Sequence, residues 1–303
     1  MPIKRSALIA GLSCAAALLF AAVPAAWAQV VFDDSWADGG RTDGTDPTDI
    51  NWWNSSSVSG IEVSTNTLGL VSGTSGRSIH GTFAPITLDR NQAARLTYTF
   101  TTPATVGFSR SSAVRAGLFD TLGRAGLQAD LTASSGSPQP LYNGIPGYMS
   151  DFDVDTGSEN TTLRERDTAD TQGRFMETTS AYNTLGSGGT SYSFGADTEY
   201  VGTLEIARSP LSEPDAVTIT ATLSQGGNLL SSHTETDSST FTTTFGMVGF
   251  HNISRTFGSS NSPGDPDNGV DFSNIKLEVY TVPEPTSLAL LGLGGLMIAT
   301  RRR

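Results

Sequence analysis

The stretch YMSDFDVDTGSENTT (residues 148–162) sets Asp151, Asp153 and Asp155 at every second position, with Phe152 and Val154 between them. On a strand this spacing turns three carboxylates to one face and two apolar groups to the other. Clustered carboxylates suit two chemistries, binding of a divalent cation and acid/base work on a glycosidic bond. A helix–loop–helix calcium loop also begins D-x-D-x-D, but it needs glycine at the sixth place and glutamate at the twelfth. Here the glycine is Gly157, one place late, and the twelfth residue is Thr162, so the pattern fails twice. Retaining hydrolysis wants carboxyl groups about 5–5.5 Å apart, whereas Asp151 and Asp155 stand roughly 13 Å apart along a strand. A solvated strand face is the competing reading.

A second candidate is Asn51-Trp52-Trp53-Asn54. Adjacent strand residues point to opposite faces, so Trp52 and Trp53 cannot both join one core layer. One is expected in the core, and the other is either a stacking platform for a sugar ring or covered by a loop such as 255–270. His80, His233 and His251 share no metal-ligand spacing. No serine sits in a nucleophile elbow, no phosphate-binding glycine loop is present, and Cys14 is the only cysteine.

The elements that must carry these residues read as strands. Apolar residues alternate in ARLTYTFTT (Leu96, Tyr98, Phe100), VGTLEIAR (Leu204, Ile206), AVTITATLS (Val217, Ile219, Ala221, Leu223) and NIKLEVY (Ile275, Leu277, Val279). Gly226-Gly227 between AVTITATLS and NLLSSHTET signals a tight hairpin. One apolar and one polar face per strand predicts an all-β antiparallel sandwich or barrel. No internal repeat or Pro/Gly-rich linker divides the chain. The predicted organisation is therefore 1–28, a single β domain over 29–281, and a separate tail over 282–303. Between residues 29 and 285, Lys+Arg falls from 18 to 13 while Asp+Glu stays at 30, a formal charge of −17. Such a surface repels phosphate backbones and predicts no nucleic-acid partner.

The first and last segments, VFDDSWADGGRTDGTDPTDINWW and VDFSNIKLEVY, resemble the concanavalin-like jelly roll of laminin-G-type and carbohydrate-binding modules, whose terminal strands lie side by side. The resemblance implies a structural calcium ion between those strands. Its ligands would be Asp33, Asp34 and Asp271, with backbone carbonyls near Asp38 and Gly39. Asp151-x-Asp153-x-Asp155 is also similar to the E-x-D-x-E strand of laminarinases and lichenases, which share that fold. Through this likeness Asp151 and Asp155 would take the nucleophile and acid/base positions, although each aspartate is one methylene shorter than the glutamate it replaces.

The two ends carry addresses. Lys4 and Arg5 precede an apolar run, and Ala26-Trp27-Ala28 before Gln29 has the small-x-small form cut by signal peptidase, so cleavage after Ala28 is expected. Cys14 falls within that segment, so the mature domain would hold no disulfide. At the other end the uncharged run 287–300 gives roughly 21 Å of helix, short of the ~30 Å bilayer core. The terminal Arg301, Arg302 and Arg303 would stay on the cytoplasmic side. Pro283-Glu284-Pro285, the apolar run and the arginines together resemble the PEP-CTERM sorting tail of Gram-negative bacteria. That resemblance implies transient inner-membrane anchoring and processing by an exosortase, with release to the cell surface or an exopolysaccharide matrix. The combined expectation is an exported, non-catalytic β-sandwich that binds polysaccharide. The alternatives are a laminarinase-like hydrolase and a passive structural protein.

Overall fold

The computed structural model describes residues 28–42, 48–55, 60–71, 76–104, 113–131, 140–154, 160–171, 175–253, 256–257 and 269–282. Ala26, Asp155, Pro283, Glu284, Pro285, Arg301, Arg302 and Arg303 lie outside them. So does most of the segment 255–270. Ala28 is exposed at the start of the described chain.

Fifteen strands are described: β1 (Gln29–Asp34), β2 (Asn51–Asn54), β3 (Ile61–Ser64), β4 (Thr67–Leu70), β5 (Arg77–Thr87), β6 (Gln92–Thr101), β7 (Ala113–Phe119), β8 (Gly147–Asp153), β9 (Thr161–Arg166), β10 (Tyr182–Gly188), β11 (Glu199–Arg208), β12 (Val217–Gln225), β13 (Asn228–Asp237), β14 (Thr244–Asn252) and β15 (Val270–Thr281). They form two antiparallel sheets packed as a jelly-roll sandwich. The first runs β13-β12-β11-β6-β15-β4-β3, with β1 also pairing with β15. The second runs β10-β9-β8-β7-β14-β5-β2. The terminal strands β1 and β15 are neighbours, as the jelly-roll resemblance implies.

The first sheet follows its sequence pattern closely. The inward residues of β6, β11, β12 and β15, among them Leu96, Leu204, Ile219 and Leu277, are fully buried. Together they present a continuous apolar layer to the second sheet, and each such side chain contributes about 1.5–3 kcal/mol of burial. Gly226 (φ 54°) and Gly227 (φ 79°) close the β12–β13 hairpin, since both central positions of this turn need positive φ. Between the sheets Tyr98, Phe250 and Phe272 form an aromatic cluster, with the Phe250 and Phe272 rings 4.7 Å apart.

The middle strands of the second sheet, β7, β8 and β14, are buried on both sides. Its outer face carries a second apolar layer, in which Phe119, Met149 and Met247 from the strands meet Tyr142, Phe175 and Met176 from the connections. Tyr142 and Phe175 stack at 4.5 Å. Gly249 of β14 allows this contact, because a Cβ there would lie 2.4 Å from the Phe175 ring. Short 3₁₀ turns at Ala125–Leu127, Pro140–Tyr142 and Thr179–Ala181 hold the cover in place. Among the described residues no helix is long and apolar enough to cross a membrane; the apolar run 287–300 lies outside them.

Candidate functional site

Strand β2 is four residues long and sits at the edge of the second sheet, paired only with β5 among the described strands. Alternation along it separates the two tryptophans as expected. Trp52 turns inward and is fully buried against Trp36 and Phe250, at 5.9 and 6.1 Å between ring centroids. Its Nε1–H donates to Asp34 Oδ2 at 2.7 Å, and the Trp36 backbone N–H donates to Asp34 Oδ1 at 3.1 Å. Burial pushes the Asp34 carboxyl above its usual range, and these two donors oppose the shift.

Trp53 turns outward and is partly exposed. It lines a groove of about 460 Å³ with Asn51, Thr82, Phe83, Ala84, Pro85 and Gln128. The groove exists because β5 bulges here: Phe245 pairs with Ile86 and Met247 with Thr82, so Phe83, Ala84 and Pro85 oppose Gly246 alone. Proline lacks the N–H that a ladder position needs, so it fits this bulge. At the far end of β2, Arg41 forks onto Asp130 with two 2.7 Å bonds, and Asp130 accepts the Asn54 backbone N–H at 2.9 Å. The Arg41 hydrogen bond, assisted by that N–H and by the arginine's charge, holds the Asp130 carboxyl below its usual range. Among the described residues, none that lines the groove is ionisable. Asn51 Oδ1 and Trp53 Nε1 are both buried and have no hydrogen-bond partner among the described residues. A planar aromatic side chain beside an amide, a threonine hydroxyl and a second amide can hold a polyhydroxylated ring.

Asp151 and Asp153 do share the outer face of β8, bordering a depression of about 180 Å³ with Arg115, Asn160, Thr162 and Arg164. Asp155, the third carboxylate of the pattern, lies outside the described residues. The Asp151 carboxylate is nearly buried and faces two guanidiniums, Arg115 Nε at 3.2 Å and Arg164 Nε at 3.4 Å. Arg115 also donates from Nη1 to the Met176 carbonyl at 2.6 Å, which ties the pair into the cover of the second sheet. Asp151 is thereby engaged in holding structure together.

The calcium expectation is corrected by the register. Asp33 pairs with Lys276 and Asp34 with Ile275, five and four residues along β15 from Asp271. Those separations amount to about 16 and 13 Å, too far for one ion whose oxygens sit about 2.3–2.6 Å away. Strand β4 occupies the stretch of β15 beside Asp271, pairing Gly69 with it. Asp33 and Asp34 also face opposite ways: Asn274 Nδ2 donates to Asp33 Oδ1 at 2.7 Å, while Asp34 is held by the two tryptophans. Among the described residues no group of three or more His, Cys, Asp or Glu is placed to hold a metal ion.

Several polar groups to which the sequence assigned no role are held inside the fold or at its edge. Arg166, 1% exposed, donates to the Phe175 carbonyl at 2.7 Å and the Tyr142 carbonyl at 3.0 Å, and stacks over Tyr182 at 5.2 Å. His80 bonds Ser55 Oγ at 2.9 Å and the Leu127 carbonyl at 2.7 Å, and burial lowers it to about 4. His251 bonds Ser78 Oγ at 2.7 Å and is likewise pushed down by burial. At the open edge of the sandwich Tyr148 Oη–H donates to Asp237 Oδ2 at 2.9 Å. There burial and then Asp237 raise the Glu165 carboxyl to about 7. No sequence signal marks Arg166, His80 and His251, because each side chain is covered where it lies on its strand.

Residues 281–303 match the PEP-CTERM protein-sorting motif. No curated protein matches the sequence. Among solved structures, an endo-1,3-β-glucanase from Streptomyces sioyaensis is similar at 13% identity and TM-score 0.48, covering 85% of this chain and 98% of that one. The metal-free exoplasmic/lumenal domain of VIP36 is similar at 8% identity and TM-score 0.48, covering 85% and 95%. Peanut lectin is similar at 8% identity and TM-score 0.45, covering 86% and 100%. These are likenesses of strand layout, joined to a C-terminal motif that marks the chain as an exported protein sorted through an exosortase.

Proposed function

We propose that this protein is an exported polysaccharide-binding module, without catalytic activity, that meets its ligand at Trp53. On this reading signal peptidase cuts after Ala28, the tail holds the chain briefly in the inner membrane of a Gram-negative cell, and an exosortase processes it near Pro283-Glu284-Pro285. The product then resides at the cell surface or in the extracellular matrix. The observation that carries the reading is the division of labour on β2: Trp52 belongs to the core, while Trp53 faces a groove whose described lining carries no charge. The sorting motif supports export. The ion pairs of Asp151 with Arg115 and Arg164 support a structural rather than a hydrolytic role for the β8 carboxylates.

A glycan array and a reducing-sugar release assay, run side by side on the exported protein and its Trp53→Ala variant, test the proposal. Glycan capture lost in the variant, with no sugar released by either, is the expected result. Sugar release abolished by Asp151→Asn would instead establish the hydrolase. For the address, replacing Glu284 and Pro285 by alanine should leave a longer species in the inner membrane. Equal release of variant and parent would refute exosortase sorting.

A further inference from the structure

Resting on the polysaccharide reading, we infer that the groove beside Trp53 takes an uncharged polymer of hexoses and discriminates against uronate or sulfated chains. Three observations point the same way. The described lining residues Asn51, Trp53, Thr82, Phe83, Pro85 and Gln128 include no ionisable group, so they offer no counter-charge to an anion. Arg41, the cation nearest β2 in sequence, is already committed through both terminal nitrogens to Asp130 at 2.7 Å. The segment 29–285 carries a formal charge of −17, with Lys+Arg at 13 against Asp+Glu at 30, so a polyanion approaches against a repulsive field. A neutral chain meets no such barrier.

The hydrogen-bonding sense of the groove adds the positive half. Among the described residues Trp53 Nε1 is a donor without a partner, and Asn51 Oδ1 is an acceptor without one. They sit two residues apart on one strand, hence on the same face. A sugar hydroxyl both donates and accepts, so neighbouring hydroxyls of a ring that displaces what covers these two buried atoms match both groups. A carboxylate or sulfate only accepts; it would meet the indole N–H but leave the amide oxygen facing an anion. Leaving a polar group unmatched is what turns a hydrogen-bonding site into a selective one.

The test measures affinity of the exported protein by electrophoresis through gels carrying a soluble β-glucan, a galactomannan or alginate, at low and high salt. Retardation by at least one neutral polymer is expected, tighter than with alginate by about tenfold or more and unchanged by salt. Trp53→Ala should weaken that retardation about tenfold, while Trp53→Phe keeps most of the stacking and serves as the folding control. Alginate binding that equals or exceeds the neutral polymers and weakens with salt would overturn the neutral-ligand inference while leaving polysaccharide binding intact. Retardation in none of the gels would remove the polysaccharide reading itself. Neutral-polymer binding indifferent to Trp53→Ala would move the site elsewhere and overturn the assignment.

Discussion

On the outer face of the first sheet the outward positions are largely threonines, whereas on the outer face of the second sheet apolar, glycine and charged positions are mixed and the middle strands are roofed over. Thr97 and Thr99 on β6, Thr203 on β11, and Thr220 and Thr222 on β12 alternate with buried residues, and Thr234 on β13 is exposed between half-buried ones. Cross-strand hydroxyl pairs join them, Thr203 to Thr222 at 2.6 Å and Thr220 to Thr234 at 3.0 Å. The second sheet instead buries all seven residues of β7, AVRAGLF, arginine included. A sheet solvated on one side needs one apolar residue in two, while a sheet covered on both sides needs its outward positions packed or paired as well. The cost of the second arrangement is visible in Arg115, Arg166, His80 and His251, each of which must find hydrogen bonds beneath the cover.

The sharpest way to break this contrast is Phe175→Ala. Phe175 is 1% exposed and stacks on Tyr142, so its loss should cost about 3–5 kcal/mol by denaturant unfolding if the cover is a true core. A loss below ~1 kcal/mol would reduce the cover to a loosely draped loop.

Acid comes next. His80 is held neutral in the folded state, at about 4, so its contribution is present above pH 6.5 and is lost as pH falls through 4. By pH 4 the loss should reach roughly 3 kcal/mol, with His251 adding in the same direction. Glu165, raised to about 7, works in the opposite sense: its contribution is present below pH 4.5 and is lost as pH rises through 7. Because that side chain is only partly buried, its effect is the smaller. Melting temperatures measured from pH 8 to pH 4 should fall on the acid side, and His80→Gln should flatten that slope. An unchanged slope would mean that His80 titrates normally.

The smallest effect belongs to the first sheet. Thr220→Val removes a hydroxyl from a solvated face and should change stability by no more than about 0.5 kcal/mol. A loss comparable to that of Phe175→Ala would show that this face too is covered.

The same contrast explains what could be read from the chain alone. The four segments with alternating residues became β6, β11, β12 and β15, all in the first sheet. Strands β7 and β14 showed no alternation to read, since Gly117, Arg115, Gly249 and His251 occupy their outward positions and are covered nonetheless. The Trp52/Trp53 split followed from strand geometry, because neighbouring side chains must point opposite ways. The groove beside Trp53 did not, because the β5 bulge that builds it comes from pairing with β14, more than 150 residues away in sequence.

Sequence by itself determined the class of the fold and the sorting motif at its end, which depend on local period and on a contiguous signal. The adjacency of its first and last strands came only through the jelly-roll resemblance and is seen in the β1–β15 pairing. Only the tertiary structure decided that Asp33 and Asp34 lie too far along β15 from Asp271 to share an ion, and that Asp151 is paired with Arg115 and Arg164. It alone decided that a second apolar layer lies on the outer face of the second sheet. Register and long-range packing determine which charges meet, and a single chain read residue by residue carries no record of the partner strand.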